Sequence, residues 1–321
     1  MTTVRATLPA ILLLAACSTN APQQYAVPDV RILAIRDQVQ GTALPPYADA
    51  DEGQTVDLEA LVANPLLRAP VTVDWYYCPP WREWLPVPSC LDPLKLADPA
   101  ALTAQPDVFQ LGGGAVPAAV SSVSAVTFSL SAIGPQLSTA FDRLLTAARA
   151  QPSRRCQLFV DLPIVAIARA PGVTEVAVKR LRLTPTARLA LPQNADLAGY
   201  YVPNRNPVIG TMIMNPADAD ACTGGTPLTN PLPPREVTLC SSATMERFNQ
   251  CQADGTYLQV WENAEWQWYA SAGEIVNARF NGNATAVSAK LEPVTGPFTL
   301  WQILRDGNGG ADWQVHDLAG P

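Results

Sequence analysis

The sequence predicts an all-β protein, two β-sandwiches in tandem, the first with a helical insertion. Three observations lead there. Proline supplies 31 of the 321 residues, about twice the usual ~5 %. A ring that removes a backbone donor suits loops, edges and strand starts, not long helices or central strand positions. Apolar residues alternate with polar ones in short runs, the period of a half-buried strand. A similar order of signals (first strand, Trp-Tyr strand, terminal hairpin) occurs twice and reads as an internal duplication of one β unit. The length suits two domains, and apolar residues, at 48 %, are plentiful enough for real cores.

Residues 1–16 have the marks of a secretory signal peptide: one positive charge at Arg5, then an apolar stretch from Leu8 to Ala16 interrupted only by Pro9. The stretch is well short of the ~20 apolar residues that span a bilayer. It ends in Leu14-Ala15-Ala16-Cys17, which resembles the lipobox of bacterial lipoproteins. The resemblance implies that Cys17 receives a diacylglyceryl group, that the peptide before it is removed, and that the new amine is acylated. Ser18, in place of an aspartate, implies the outer membrane, at its periplasmic face or the cell surface. Residues 17–28 are polar, contain proline and lack periodicity, so they read as a lipidated tether.

The first domain is expected over residues 29–184. Its first strand is "PDVRILAI" (28–35). "TVDLEALV" (55–62) sets Val56, Leu58, Ala60 and Val62 on one face and Asp57 and Glu59 on the other. "VTVDWYYC" (71–78) does the same with Val71, Val73, Trp75 and Tyr77. In "GPQLSTAFDRLLTAARA" (134–150), Leu137, Phe141, Leu144, Leu145 and Ala148 recur at helical spacing after Gly-Pro, which predicts one inserted amphipathic helix. Residues 163–183 form two alternating runs around Ala170-Pro171-Gly172, a hairpin signal. Residues 185–203, polar and proline-containing, suit a linker, either a hinge or a rigid spacer. The second domain, 204–321, repeats the plan. "NPVIGTMIM" (206–214) is its first strand, "AEWQWYAS" (264–271) carries Trp266 and Trp268 on one face, and 298–318 is a hairpin around a Gly-rich turn.

Short alternating strands at Greek-key spacing, with Trp75 and Trp268 facing the core from the third-strand position, resemble immunoglobulin-like sandwiches. Neither half has the Cys–Trp–Cys spacing of antibody domains, so the resemblance is to the broad Ig-like group. The stretches "RILAIRDQ", "VTVDWYYC" and "LWQILRDGNGGADWQ" also resemble uncharacterised bacterial cell-surface lipoproteins with Ig-like or PKD-like domains. That resemblance implies no known activity.

The net charge of −7, from 28 acidic and 21 basic side chains with no basic run, argues against nucleic acid as a partner. With Cys17 set aside, Cys78, Cys90, Cys156, Cys222, Cys240 and Cys251 remain, an even number that implies disulfides in an exported chain. Each half holds three. The first offers Cys78–Cys90 or Cys90–Cys156, and the second Cys222–Cys240 or Cys240–Cys251. No CxxC pair and a single histidine, His316, argue against zinc. His316 lies on a terminal strand opposite Trp313 and Val315, where exposure is expected, and no nucleophile elbow accompanies it.

The notable surface candidate is "YYCPPWREWLPVPSC" (76–90). Trp81 and Trp84 flank Arg82 and Glu83 in a proline-rich loop bracketed by two cysteines. Exposed aromatics on a rigid loop stack sugars or anchor a protein, so Tyr76, Trp81, Arg82 and Trp84 are candidate contacts. The alternative is a satellite core under the loop. "DGNGGAD" (306–312) spaces its oxygens somewhat like a calcium loop, but no closing glutamate follows, and a tight hairpin turn is preferred. The expectation is thus a non-enzymatic, lipid-anchored envelope protein without a cofactor, a structural, adhesive or binding module meeting an unknown protein or glycan. The alternatives are a carbohydrate-binding accessory protein using loop 76–90, and an enzyme with an unrecognised carboxylate site.

Overall fold

Alternation in the first half resolves into two facing sheets in the computed structural model, which describes residues 25–43, 45–68, 70–82 and 87–320. The signal stretch 1–16, Cys17 with the start of its tether, and Trp84 lie outside the described residues. One sheet has the antiparallel order β1 (Arg31–Val39), β3 (Thr55–Ala63), β6 (Ser121–Ser129). The other runs β2 (Asp49–Ala50), β8 (Val173–Leu183), β7 (Val160–Ala170), β4 (Val71–Tyr77), β5 (Phe109–Val116), antiparallel except for β2 against β8. Val56, Leu58, Ala60 and Val62 are fully buried between the sheets, while Asp57 and Glu59 face outward as the alternation requires. Trp75 is also fully buried, and its indole Nε1 donates to Ser124 Oγ of the opposite sheet at 3.1 Å. A buried indole needs such a partner for its N–H.

The predicted helix spans Gly134–Ala150, with Pro135 in its first turn, where the missing donor costs nothing. Leu137, Phe141 and Leu144 extend the sandwich core. Leu145 and Ala148 cover a second patch with Leu158, Leu189 and Leu197. The last two come from residues 185–203, a spacer by composition, which fold into the short helices Thr186–Leu189 and Ala195–Ala198 and pack on the long one.

In the second half, β9 (Val208–Ile209), β10 (Ile213–Met214), β11 (Thr226–Pro227), β16 (Ile275–Val276) and β18 (Ala286–Leu291) gather around β12 (Val237–Thr244). The facing sheet has the order β17 (Arg279–Gly282), β15 (Ala264–Ala270), β19 (Pro297–Arg305), β20 (Ala311–Ala319). A separate ribbon pairs β13 (Arg247–Cys251) with β14 (Tyr257–Trp261). Trp266 and Trp268 both enter the core between these sheets. The protein is all-β and sandwich-like, with one long helix added to the first half.

A third apolar layer joins the halves. Leu33, Ala34, Leu61 and Ala63 on the outer face of β1 and β3 pack against Tyr269, Trp301 and Ile303 on the outer face of β15 and β19. Trp301 Nε1 donates to Ser121 Oγ at 2.6 Å, and Arg305 Nη2 donates to the carbonyl of Leu33 at 2.6 Å. Within the first sandwich, Lys179 points inward on β8 with Leu181 and Leu183, and its ammonium meets Asp37 Oδ1 at 2.8 Å. The Asp37 side chain is 0 % exposed. An inward carboxylate of that kind is tolerable only beside a cation.

Cys78–Cys90 and Cys222–Cys240 close locally, and Cys156–Cys251 crosses between the halves. The crossing bond accounts for three cysteines in each half. Three disulfides place the chain in an oxidising, exported environment. No helix among the described residues is long and apolar enough to cross a membrane.

Replacing Cys156 and Cys251 by serine removes a closure spanning 95 residues and should cost about 4–5 kcal/mol of unfolding free energy on the chain-entropy account. Urea denaturation measures this, and a loss near zero would mean that the apolar layer alone constrains the halves. Lys179→Ala should cost about 3–5 kcal/mol by stranding Asp37, while Asp37→Leu combined with Lys179→Met should recover most of it. A double variant no more stable than the single one would contradict this account of the pair.

Candidate functional site

The outer face of the β7–β8 hairpin carries the basic side chains of a cleft. Leu181 and Leu183 are fully buried, so alternation turns Arg180 and Arg182 the other way. The segment after the long helix adds Arg154, Gln157 and Phe159. The disulfide-bracketed loop adds Trp81 and Arg82, held by a backbone bridge in which Asp161 N donates to the Trp81 carbonyl at 2.8 Å. The opposite wall is the 307–309 turn of the second half. The enclosed volume is about 260 Å³, and cavities of about 450 and 310 Å³ share its walls.

Aromatic rings set the planes of three guanidiniums. Arg180 lies 4.8 Å from the Trp81 ring centroid, and Arg82 and Arg182 lie 4.1 and 3.7 Å from that of Phe159. Such stacking holds a planar cation while leaving its N–H edges available. Arg82 is 7 % exposed and donates to the Gln157 carbonyl. Of the sequence-derived contact candidates, Trp81 and Arg82 line the cleft. Tyr76 instead packs on a satellite cluster with Cys78, Cys90, Leu102, Val165 and Ile167.

Arg154, Arg180 and Arg182 were not singled out by sequence, and Asn308 drew attention only within the calcium-like spacing of 306–312, not as a cleft residue. The alternating "KRLRL" of β8 signals an outward basic face, but nothing local announces that residues 307–309 will close over it. In that turn Asp306 Oδ1 accepts from Asn308 N at 2.7 Å and Gly310 N at 2.9 Å, and Oδ2 accepts from Asn204 Nδ2 at 2.9 Å. The carboxylate is thus committed to shaping the hairpin and fastening it to residue 204. Gly307 and Gly309 have φ of +75° and +114°, the left-handed region that favours glycine.

Behind the turn lies a group of buried carboxylates. Glu262 accepts from Glu246 N at 3.1 Å and Asn308 Nδ2 at 3.2 Å and is 2 % exposed. Burial first, then the nearby Asp306 charge, raises its pKa, and burial raises that of Asp306. Asp49 is pushed up to about 7 by burial, opposed first by the Arg182 charge. It accepts from the Tyr201 hydroxyl and from Asn204 N. His316 is half-buried rather than exposed, because Leu300 pairs with it from β19, and burial lowers its pKa.

Comparison with known proteins places this arrangement in no family. No family model matches the chain, and no curated protein matches it. Solved structures give distant similarity. Alpha-2-macroglobulin of E. coli aligns with 90 % of this chain and 16 % of its own at 8 % identity and a TM-score of 0.22. The C-terminal fragment of intimin, solved with the intimin-binding domain of its translocated receptor, aligns with 90 % of this chain and 64 % of its own at 9 % identity and 0.18. The β-glucuronidase of Parabacteroides merdae aligns with 88 % of this chain and 25 % of its own at 5 % identity and 0.19. The chain spans less than two thirds of each of these, and similarity at this level carries no functional argument.

The carboxylates predict a direction for stability with pH. Their folded pKa values lie above the ordinary carboxylate range, so between about pH 4 and 7 the native state holds more protons than the unfolded chain. The stabilisation is full below the unfolded values and is lost as pH rises toward about 7. Urea denaturation should give a lower unfolding free energy at pH 8 than at pH 5, and Glu262→Gln should flatten the slope. His316 acts in the opposite sense, so the difference between the two proteins isolates the carboxylate effect. Parallel slopes for wild type and Glu262→Gln would refute the assignment.

Proposed function

We propose that the chain is a lipid-anchored, non-enzymatic protein of the bacterial outer membrane, a binding module that meets its partner at the cleft between its halves. The observation that carries the anchor is the fate of the cysteines. The six cysteines among the described residues pair with one another, and Cys17, at the end of Leu14-Ala15-Ala16, stands outside those three pairs. Several acyl chains at ~0.8 kcal/mol per buried CH₂ hold a protein stably where one chain is marginal. Ser18 after the modified cysteine favours the outer membrane.

Two features support a binding role. Trp81 and the stacked arginines form a shaped, polar cleft, and three carboxylates behind it with raised pKa values, Glu262, Asp306 and Asp49, are 2 %, 0 % and 6 % exposed. A substrate cannot reach groups so deeply covered, which disfavours the carboxylate-enzyme reading. The carbohydrate-accessory reading draws on the same cleft, through Trp81.

Metabolic labelling with an alkyne fatty acid should mark the wild-type chain in a bacterial host. Cys17→Ala should abolish the label and move the protein from the membrane to the soluble fraction. A label that survives the substitution would sink the anchor.

A further inference from the structure

The cleft carries an excess of positive charge on a protein whose net charge is −7. Four arginines, Arg82, Arg154, Arg180 and Arg182, reach one volume of about 260 Å³, whose lining includes one carboxylate, that of Asp161. Arg82 is tied to the Gln157 carbonyl, and Arg182 Nε lies 4.0 Å from Asp49 Oδ1. Arg154 and Arg180 have no carboxylate within ion-pair distance among the described residues. Converging like charges repel one another, more so between low-dielectric walls than in open water. Random surface arginines would spread apart. Here the Trp81 and Phe159 rings hold three guanidinium planes in place, an arrangement suited to planar, bidentate recognition.

From this geometry we infer that the cleft is a binding site for an oxyanion carried on a compact polar body, an acidic sugar or a phosphate ester. The inference deepens the binding-module reading by giving the ligand's chemical class. The oxyanion lies between Arg180, Arg154 and the exposed edge of Arg182. The rest of the ligand meets the Gln157 and Asn308 amides and the edge of Trp81, groups that exchange hydrogen bonds and apolar contact with a hydroxylated ring. The neighbouring cavities give a longer ligand room to continue along the junction of the halves. A uronate and a phosphate ester share the anionic group and differ in its shape, so separate probes distinguish them.

The test uses the full chain carrying Cys17→Ala, titrated by calorimetry at low salt with D-galacturonic acid, inorganic phosphate and D-galactose. At least one of the two anions should bind, weaken as sodium chloride is added, and outcompete galactose. Arg180→Gln and Arg154→Gln should each weaken binding about tenfold, the scale of one charge-assisted hydrogen bond. Arg235→Gln, on an exposed loop away from the cleft, should leave binding unchanged. Galacturonate alone identifies a sugar acid, and phosphate alone identifies a phosphoryl group. Equal binding of galactose and galacturonate, indifference to Arg180→Gln, or no binding of any probe would overturn the inference. Fatty-acid labelling of Cys17 is indifferent to Arg180→Gln, so failure here leaves the anchor standing, and failure of the anchor leaves this result readable.

Discussion

Strand β1 must bury both of its faces, and much of the molecule is arranged around that requirement. Ile32, Ile35 and Val39 enter the first sandwich core, while Leu33 and Ala34 enter the layer shared with the second half. A register shift between Ile32 and Ala34 in the pairing with β3 lets one short stretch serve both sides. Had β1 faced water on its outer side, Leu33, Leu61 and Trp301 would form an exposed apolar patch of the kind that associates or aggregates. Covering it with the β15–β19 face turns two sandwiches into a stack with three apolar layers. The inward carboxylate of Asp37 follows from the same strand geometry, and so does the need for Lys179 on the facing sheet.

Apolar contact is non-directional and would tolerate sliding between the halves. Buried polar contacts set the register. Asn206 Nδ2 donates to the Asp37 carbonyl at 2.6 Å, and its Oδ1 accepts from Ala311 N at 3.0 Å. Asn204 connects Asp49 of the first half to Asp306 of the second. Arg36 reaches Glu59 and Asp312 and stacks on Trp313. The contacts of buried Asn204 and Asn206 that cross between the halves lose their partners if the halves shift, leaving a buried polar group unsatisfied at about 1–3 kcal/mol. The cleft lies where this polar seam gives way to solvent, so its geometry is inherited from the register.

Local features were legible in the sequence. The helix at 134–150, the hairpin turning at Gly172, and the inward Trp75, Trp266 and Trp268 all depend on neighbours a few residues away, where periodicity and turn chemistry decide the outcome. Long-range features were not legible. Nothing near Cys156 indicates Cys251, and a composition suited to a spacer at 185–203 does not reveal that Leu189 and Leu197 will be buried. One signal was present in "ILAI": four apolar residues in succession break the alternation of a one-sided strand and mark a strand covered on both faces. The cleft depended on tertiary placement, because Arg180 and Asn308 come together only once both halves are docked.

The Cys156–Cys251 bond also alters how the chain carries load. Tension between the two ends passes across the sulfur bridge and bypasses the 95-residue separation behind it. At ~3.3–3.6 Å per residue, roughly 300 Å of contour length stays hidden while the bridge is intact. The β7–β8 hairpin and residues 185–203 lie wholly inside that sheltered span. Arg180 and Arg182 of the cleft therefore bear no direct pull through the backbone, and stretching the molecule strains the outer segments, Arg82 and Arg154 among them, first.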